Sequence, residues 1–123
     1  MLFPTVQEVL AIQRRLIEEF GGIHGIRDGG ALESALCAAE QRAYYEQADL
    51  SVCASTYAYH LTKAHAFLDG NKRLAAAVAE IFLEMNGASL TATNDQLVDF
   101  FLGIASGTTP REAVERQFSE WVI

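Results

Sequence analysis

The residues best suited to chemistry lie in one stretch, "KAHAFLDGNKR", which runs from Lys63 to Arg73. It holds three of the nine Lys and Arg residues, and both lysines, of a 123-residue chain with a net charge of −7. It also holds His65, the side-chain type that most readily takes up a proton near neutral pH. Asp69 offers hard carboxylate oxygens of the kind that bind Mg²⁺. Positive charge gathered at one place in an acidic protein predicts an anion-binding site.

Phosphate is the anion that this stretch favours. A helix is expected to start at about Gly70 with Asp69 as its N-cap, which leaves the first backbone N–H groups without partners inside the helix. Such a helix start binds anions, and Asn71, Lys72 and Arg73 add side-chain donors. A base, a metal ligand and a phosphate clamp together are the parts needed for phosphoryl or nucleotidyl transfer. The alternative, an ordinary surface loop, stays open at this point.

Other classes of function fit the sequence less well. The Walker phosphate-binding loop, the H-E-x-x-H zinc motif and the G-x-S-x-G elbow are all absent. The acidic balance argues against direct binding of nucleic acid. No apolar run is long enough to span a membrane, and the N-terminus does not resemble a signal peptide. We therefore expect a cytoplasmic protein with no membrane partner, in which Cys37 and Cys53 are buried free thiols.

The elements that must position these residues are predicted to be helices throughout. Apolar spacing and cap signals indicate one all-α domain, residues 1–123, of five or six helices. The first helix is expected to follow a Thr5 cap and run to Phe20, the second to run from Ala31 to Arg42, and the third to follow a Ser51 cap and run to His65. The fourth is expected from Gly70 to Asn86, the fifth from about Asn94 to Ala105, and the last from Pro110 onward. The fourth helix is apolar nearly all round, which predicts a central position in the bundle. "AYYEQADL" is expected to be a connection, and "ASLTAT" a short extended segment.

The stretch "HAFLDGNKR" resembles the H-x-F-x-[DE]-[AG]-N-[GK]-R signature of Fic/Doc proteins. Flanking segments, "EEFGGIHGIRDGGALESAL" and "AEIFLEMNG", look like the death-on-curing (Doc) branch. The resemblance implies a small all-helical Fic/Doc-like fold. Fic enzymes usually move AMP from ATP onto a protein hydroxyl. Doc toxins instead place the γ-phosphate of ATP on a threonine of elongation factor Tu, which stops translation, and a Phd-type antitoxin usually blocks them.

The resemblance also implies a role for each residue of the motif. His65 would be the base that deprotonates the target threonine, Phe67 a buried anchor, and Asp69 the Mg²⁺ ligand. Phosphate contacts would come from Lys63, Asn71, Lys72 and Arg73. The glycine-rich segment from Gly21 to Gly30 looks like the flap that docks the target in this fold, although an ordinary helix–helix turn is an equally open interpretation.

Positions at which this chain departs from the family patterns help to distinguish AMP transfer, phosphate transfer and a role without catalysis. AMP transferases have glycine where this chain has Lys72, and a second arginine where it has Ala76, so the usual ATP orientation is disfavoured. Leu74 and Ala77 depart from Doc, which leaves open a Fic-fold interaction protein without catalysis. The sequence therefore predicts a Doc-like toxin kinase that uses ATP and Mg²⁺ and pairs with a Phd-like antitoxin. AMP transfer by the same site is the alternative enzymatic hypothesis.

Overall fold

The computed structural model describes residues 1–123 and contains six α-helices and no β-strand. The helices are α1 (Val6–Phe20), α2 (Gly29–Glu46), α3 (Leu50–Ala64), α4 (Asn71–Met85), α5 (Asn94–Ser106) and α6 (Arg111–Trp121). The prediction of an all-α bundle is confirmed. No helix is both long enough and apolar enough to cross a membrane.

Side-chain caps set where several helices begin. Thr5 and Glu8 form the predicted capping box of α1. The predicted cap of α3 was wrong, because the carboxylate of Asp49, and not the hydroxyl of Ser51, accepts the first-turn N–H of Val52 at 2.9 Å. An aspartate two residues earlier therefore starts the helix sooner than the sequence suggested.

Helix α2 is longer than predicted at both ends. Asp28 caps it, so that it starts at Gly29, and it continues to Glu46 before Gln47 adopts a left-handed conformation with φ 49°. The segment predicted as a connection is thus partly helical. Ala43 packs against the core, and Arg42 and Glu46 form an ion pair one turn apart, so contacts outside the apolar pattern stabilise this last turn.

The core is built mainly between α3 and α4. Helix α3 contacts α2, α4, α5 and α6, while α4 contacts α1, α3 and α5. The buried side chains of α4 are Leu74, Ala75, Val78, Ala79, Phe82 and Leu83. Together the two helices form a rigid base, and the connection between them lies at one end of the bundle.

Of two smaller predictions, the burial of Cys37 was wrong and the short extended segment after α4 is confirmed. Cys53 is buried, but Cys37 is exposed on α2, and both are free thiols. The segment after α4 forms only an isolated antiparallel bridge, Leu90 with Val122, which ties the end of the chain to the bundle. Cys37 lies on the outer side of α2 because its apolar neighbours Leu36 and Ala39, and not Cys37 itself, face the core.

Candidate functional site

The candidate site is the connection between α3 and α4, residues 65–70, which we call the motif loop. Helix α3 ends at Ala64, and His65 follows in the left-handed conformation, with φ 48° and ψ 44°. Both His65 and Asp69 are exposed. A left-handed residue turns the chain sharply out of a helix, so the imidazole begins the loop at the surface, outside the hydrophobic core.

Phe67 and Asn71 fix the shape of the motif loop. The side chain of Phe67 is 3% exposed and belongs to the core cluster, as the sequence predicted for an anchor. The amide of Asn71 donates to the carbonyl oxygen of Phe67 at 2.9 Å and accepts from the N–H of Phe67 at 3.1 Å. Both polar ends of the amide therefore bind the loop's own backbone, and a contact of Asn71 with phosphate stays a prediction.

Asp69 is held by two backbone amides. One carboxylate oxygen, Oδ1, accepts from the N–H of Gly70 at 2.9 Å, and the other, Oδ2, accepts from the N–H of Ile23 at 3.2 Å. The prediction that Asp69 caps α4 was wrong, because Gly70 is the N-cap and no side chain caps this helix. Gly70 has a positive φ of 73°, and no side chain accepts from the first-turn N–H groups, which are therefore left uncapped.

Gln13 is a part of the site that the sequence analysis missed. It lies on α1, is 5% exposed, and donates from Nε2 to the main-chain oxygen of Asp69 at 2.8 Å. A signal was present in the sequence, since Gln13 falls four residues after Val9 and four before Ile17, on the apolar stripe of the helix. A polar residue on such a stripe indicates a specific buried partner.

The glycine-rich segment predicted from Gly21 to Gly30 ends at Asp28, because Gly29 and Gly30 belong to α2. We call Gly21 to Asp28 the flap, and it pairs with the motif loop. Ile26 forms an antiparallel bridge with Phe67. The supporting hydrogen bonds join main-chain atoms only: Leu68 N to Gly25 O at 3.1 Å, Arg27 N to Ala66 O at 2.7 Å, and Asp28 N to Ala66 O at 3.0 Å. The flap is therefore docked along the loop that carries His65, and is more than a simple turn between helices.

Exposed side chains of the flap, the motif loop and the last residue of α1 form an apolar rim. Phe20, Ile23, Ile26 and Leu68 are each more than half exposed. Water-exposed apolar groups concentrated beside a polar loop are typical of a surface that contacts another protein. We call these four side chains the apolar rim.

The cations predicted to bind phosphate differ in their surroundings. Lys72 and Arg73 are exposed in the first turn of α4, and the chain's ion pairs use only Arg42 and Arg111 as cations. The guanidinium of Arg73 lies 5.0 Å from the ring centre of Phe20, so a cation–π contact holds it beside the flap. Neither cation is neutralised by a carboxylate.

Lys63 points elsewhere in this structure. Its Nζ lies 3.9 Å from the position that a Cβ on Gly107 would occupy, at the C-terminal end of α5. A cation there is favoured by the partial negative charge of the helix end. A role for Lys63 in phosphate binding stays a prediction, and it would require the side chain to leave this helix end.

A groove of about 390 Å³ lies beside the site, between α2 and α3, and reaches Lys63 and His60. Burial lowers the pKa of His60, and the nearby charges of Arg111 and Arg42 lower it further. His60 is therefore neutral at neutral pH. It lies on α3, more than one helical turn before His65. The two histidines do not form a pair.

The residues fit a magnesium ion that arrives with a nucleotide. No group of three or more His, Cys, Asp and Glu side chains comes together that could hold a metal by itself. Mg²⁺ in nucleotide sites is commonly held by one or two carboxylates together with phosphate oxygens. Asp69 is exposed, and each of its oxygens receives only one hydrogen bond, so lone pairs remain free for such an ion.

Comparison with known proteins agrees with this geometry. Residues 3–83 match the sequence model of the Fic/DOC family. The chain belongs to the Fic/Doc family. It is 32% identical over 102 residues to "Protein kinase doc" of Escherichia phage P1, which covers 82% of this chain and 80% of the relative. It is 38% identical over 78 residues to "Toxin Doc" of Mycolicibacterium smegmatis, a match to 62% of this chain and 60% of that relative.

The Fic/Doc match covers every part of the candidate site. Residues 3–83 include α1 with Gln13, the flap, the motif loop and most of α4. Helices α5 and α6 lie beyond the match. Of the two departures from Doc, Leu74 is 1% exposed and packs in the core, whereas Ala77 is half-buried on α4. Leu74 therefore stabilises this Fic/Doc fold and does not line the exposed loop.

Proposed function

We propose that this chain is the toxin of a toxin–antitoxin pair and acts as a Doc-like protein kinase. The observation that carries the proposal is the arrangement at the start of α4. The motif loop presents His65 and Asp69 at the surface directly before an uncapped helix start, where Lys72 and Arg73 have no acidic partner. The names of the two relatives, a protein kinase and a toxin, support the same assignment.

The proposed reaction transfers the γ-phosphate of ATP to a threonine hydroxyl. The hydroxyl oxygen attacks the γ-phosphorus, and its proton passes to a nitrogen of the His65 imidazole. The bond between the γ-phosphorus and the oxygen that bridges to the β-phosphate breaks, which leaves phosphothreonine and ADP. Asp69 would hold Mg²⁺, which supplies positive charge to the phosphates when bound. The backbone N–H groups of the first turn, with Lys72 and Arg73, bind phosphate oxygens.

The proposed substrate is a translation factor, elongation factor Tu, and the proposed inhibitor is a Phd-like antitoxin. The apolar rim lies on the end of α1, the flap and the motif loop, the last of which begins with His65. A protein substrate that packs on this rim would bring its hydroxyl toward the imidazole, and docking of this kind is what makes a phosphoryl transfer specific. The cytoplasm, where translation factors are found, is the proposed location.

Labelled ATP tests the reaction directly. The purified chain is incubated with elongation factor Tu, Mg²⁺ and ATP labelled at either the γ- or the α-phosphate. We expect label from γ-labelled ATP only, and a rate that falls by roughly 10²–10⁴-fold in His65→Ala. Equal melting temperatures of variant and wild type show that the loss is chemical. Label from α-labelled ATP would overturn the kinase assignment in favour of AMP transfer.

Lys72 tests which orientation ATP adopts. In this structure Lys72 is exposed in the first turn of α4, where its side chain occupies space that a glycine would leave open to phosphates. Lys72→Gly is expected to lower γ-phosphate transfer at least about tenfold, because a charge-assisted phosphate contact is lost. Unchanged γ-transfer would show that Lys72 does not set the orientation.

A further inference from the structure

We propose that Gln13 is the positioning residue of this site: from α1 it fixes the main chain of Asp69, and with it the carboxylate that would hold Mg²⁺. The inference rests on the proposed function only for the measurement of the Mg²⁺ requirement described below. The carrying observation is a hydrogen bond of 2.8 Å from Nε2 of Gln13 to the main-chain oxygen of Asp69, between residues 56 positions apart.

The geometry leaves the Gln13 amide one orientation. A carbonyl oxygen can only accept, so the NH₂ end of the amide must face Asp69. The amide packs directly against the turn, because a Cβ on Gly70 would lie 3.6 Å from Nε2 and 3.4 Å from Cδ1 of Ile17. The buried Gln13 side chain therefore contacts the turn in two ways, by the hydrogen bond from Nε2 and by van der Waals packing.

Stability alone does not account for Gln13. Its other polar atom, Oε1, is buried and has no hydrogen-bond partner. A buried acceptor without a partner destabilises the fold, and an unbranched apolar side chain of the same length would avoid this cost. The hydrogen bond to Asp69 is the one contact that an apolar residue at position 13 would not reproduce.

Fixing the main chain of Asp69 fixes two further groups. The Asp69 carboxylate accepts from the N–H of Gly70 and from the N–H of Ile23 in the flap. Gln13 thus connects α1 through Asp69 to the start of α4 and to the flap. Residues that orient a metal ligand in this way typically change metal affinity about 10–100-fold when they are replaced.

Gln13→Met tests the inference, with Gln7→Met as the matched control, because Gln7 is an exposed glutamine on the same helix. In the protein without nucleotide or metal, we expect amide hydrogen exchange at Ile23 and Gly70 to become about fivefold faster in Gln13→Met. The melting temperature is expected to change little, since removal of the unpaired acceptor offsets the loss of the hydrogen bond to Asp69. Gln7→Met is expected to leave exchange at both amides as in wild type.

The metal readout separates positioning from a general loss of activity. In Gln13→Met the Mg²⁺ concentration for half-maximal phosphate transfer is expected to rise roughly tenfold, while kcat at saturating Mg²⁺ stays within about twofold of wild type. A lower kcat with an unchanged Mg²⁺ requirement would overturn the proposal. If the wild type transfers no phosphate, the proposed function fails, and the exchange result still decides the role of Gln13.

Unchanged exchange at Ile23 and Gly70 in Gln13→Met overturns the inference. Gln13→Glu is the second variant, because it keeps the length and an oxygen but has no N–H to donate when ionised. The same faster exchange is expected. Should Gln13→Met fail to fold, exchange in Gln13→Glu decides: wild-type rates at both amides overturn the proposal and faster rates support it.

Discussion

At the scale of single residues, the candidate site depends on contacts that shape the motif loop as much as on the groups proposed to do chemistry. Asn71 illustrates this, because its amide spans the N–H and the carbonyl oxygen of Phe67. The sequence assigned Asn71 to phosphate because of its place in the motif. The structure adds a role in folding the loop. Variants at this position must therefore be chosen so that loss of phosphate binding can be told apart from loss of loop stability.

Asn71→Ala and Asn71→Asp separate them. The alanine variant loses both hydrogen bonds, so its free energy of unfolding is expected to fall by about 1–3 kcal/mol in urea denaturation. The aspartate variant keeps the acceptor for the N–H of Phe67 and adds a negative charge that the helix start favours, so its loss is expected to be smaller. That same charge repels phosphate, and ATP binding by calorimetry should weaken more in Asn71→Asp than in Asn71→Ala. The reverse order of affinities would contradict the phosphate site.

Gly22 is a second residue whose replacement is informative. A Cβ at Gly22 would lie 2.7 Å from Oδ2 of Asp69, whereas a Cβ at Gly21 meets no atom within 4 Å. Both glycines have positive φ, 123° and 86°, so alanine at either is expected to lower the melting temperature. Only Gly22→Ala displaces the Asp69 carboxylate, and only that variant is expected to slow phosphate transfer, by about tenfold or more. Equal activity of the two variants would contradict this reading of the contact.

At the scale of the elements, α4 combines a buried face with a charged pair, Glu80 and Glu84, one turn apart. Burial raises the pKa of Glu80, and the neighbouring Glu84 raises it further. A carboxyl whose folded-state pKa is raised adds stability below its ordinary pKa of about 4.5, and that contribution is lost as the pH rises through the folded value. Ionised Glu80 therefore weakens α4 at neutral pH.

Glu80→Gln is expected to raise the free energy of unfolding at pH 7 by about 0.5 kcal/mol, since it removes a like-charge pair from the helix. The difference from wild type should vanish near pH 4, where the carboxyl is protonated in both states. Glu84→Gln is the matched control: Glu84 is exposed, so its replacement removes the repulsion but not the cost of burial and should stabilise less. Urea denaturation at the two pH values measures both variants.

The helices could be predicted from the sequence, but their exact ends and the supporting contacts of the site could not. Apolar periodicity marks a helix wherever a stripe must face the core, which is why all six were predicted. The ends depend on which side chain reaches which N–H, as Asp49 and Gly70 illustrate. The residues of the motif could be named from their spacing. The apolar stripe of α1 marked Gln13 as a buried polar residue, but its partner could not be predicted, because that partner is the backbone of a residue 56 positions away.

At the scale of the whole molecule, a polar cluster joins three helices. Arg42 on α2 bonds to Thr56 on α3 and to Glu115 on α6. His60 is half-buried near this cluster, and the charges of Arg111 and Arg42 add to burial in lowering its pKa. A histidine whose folded-state pKa is lowered adds stability above its ordinary pKa of about 6.5, and this is lost as the pH falls through the folded value.

His60→Gln is therefore expected to flatten the dependence of stability on pH. In wild type the free energy of unfolding should fall between pH 7 and pH 5, because protonation of His60 places a charge in a half-buried site next to two cations. In the variant this part of the fall is expected to be absent. His24→Gln, at an exposed histidine of the flap, is the control and should keep the wild-type slope. Identical slopes in all three proteins would rule out His60 as the sensor.

The flap contributes only main-chain atoms to its hydrogen bonds with the motif loop, and this has an evolutionary consequence. Hydrogen bonds from Leu68, Arg27 and Asp28 use only backbone groups, so they place few demands on what the outward side chains of the flap are. Under the proposed function, substitutions at Ile23, His24 or Ile26 would therefore alter which protein is recognised while the motif loop keeps its shape. A scaffold of this kind would let the target change faster than the chemistry.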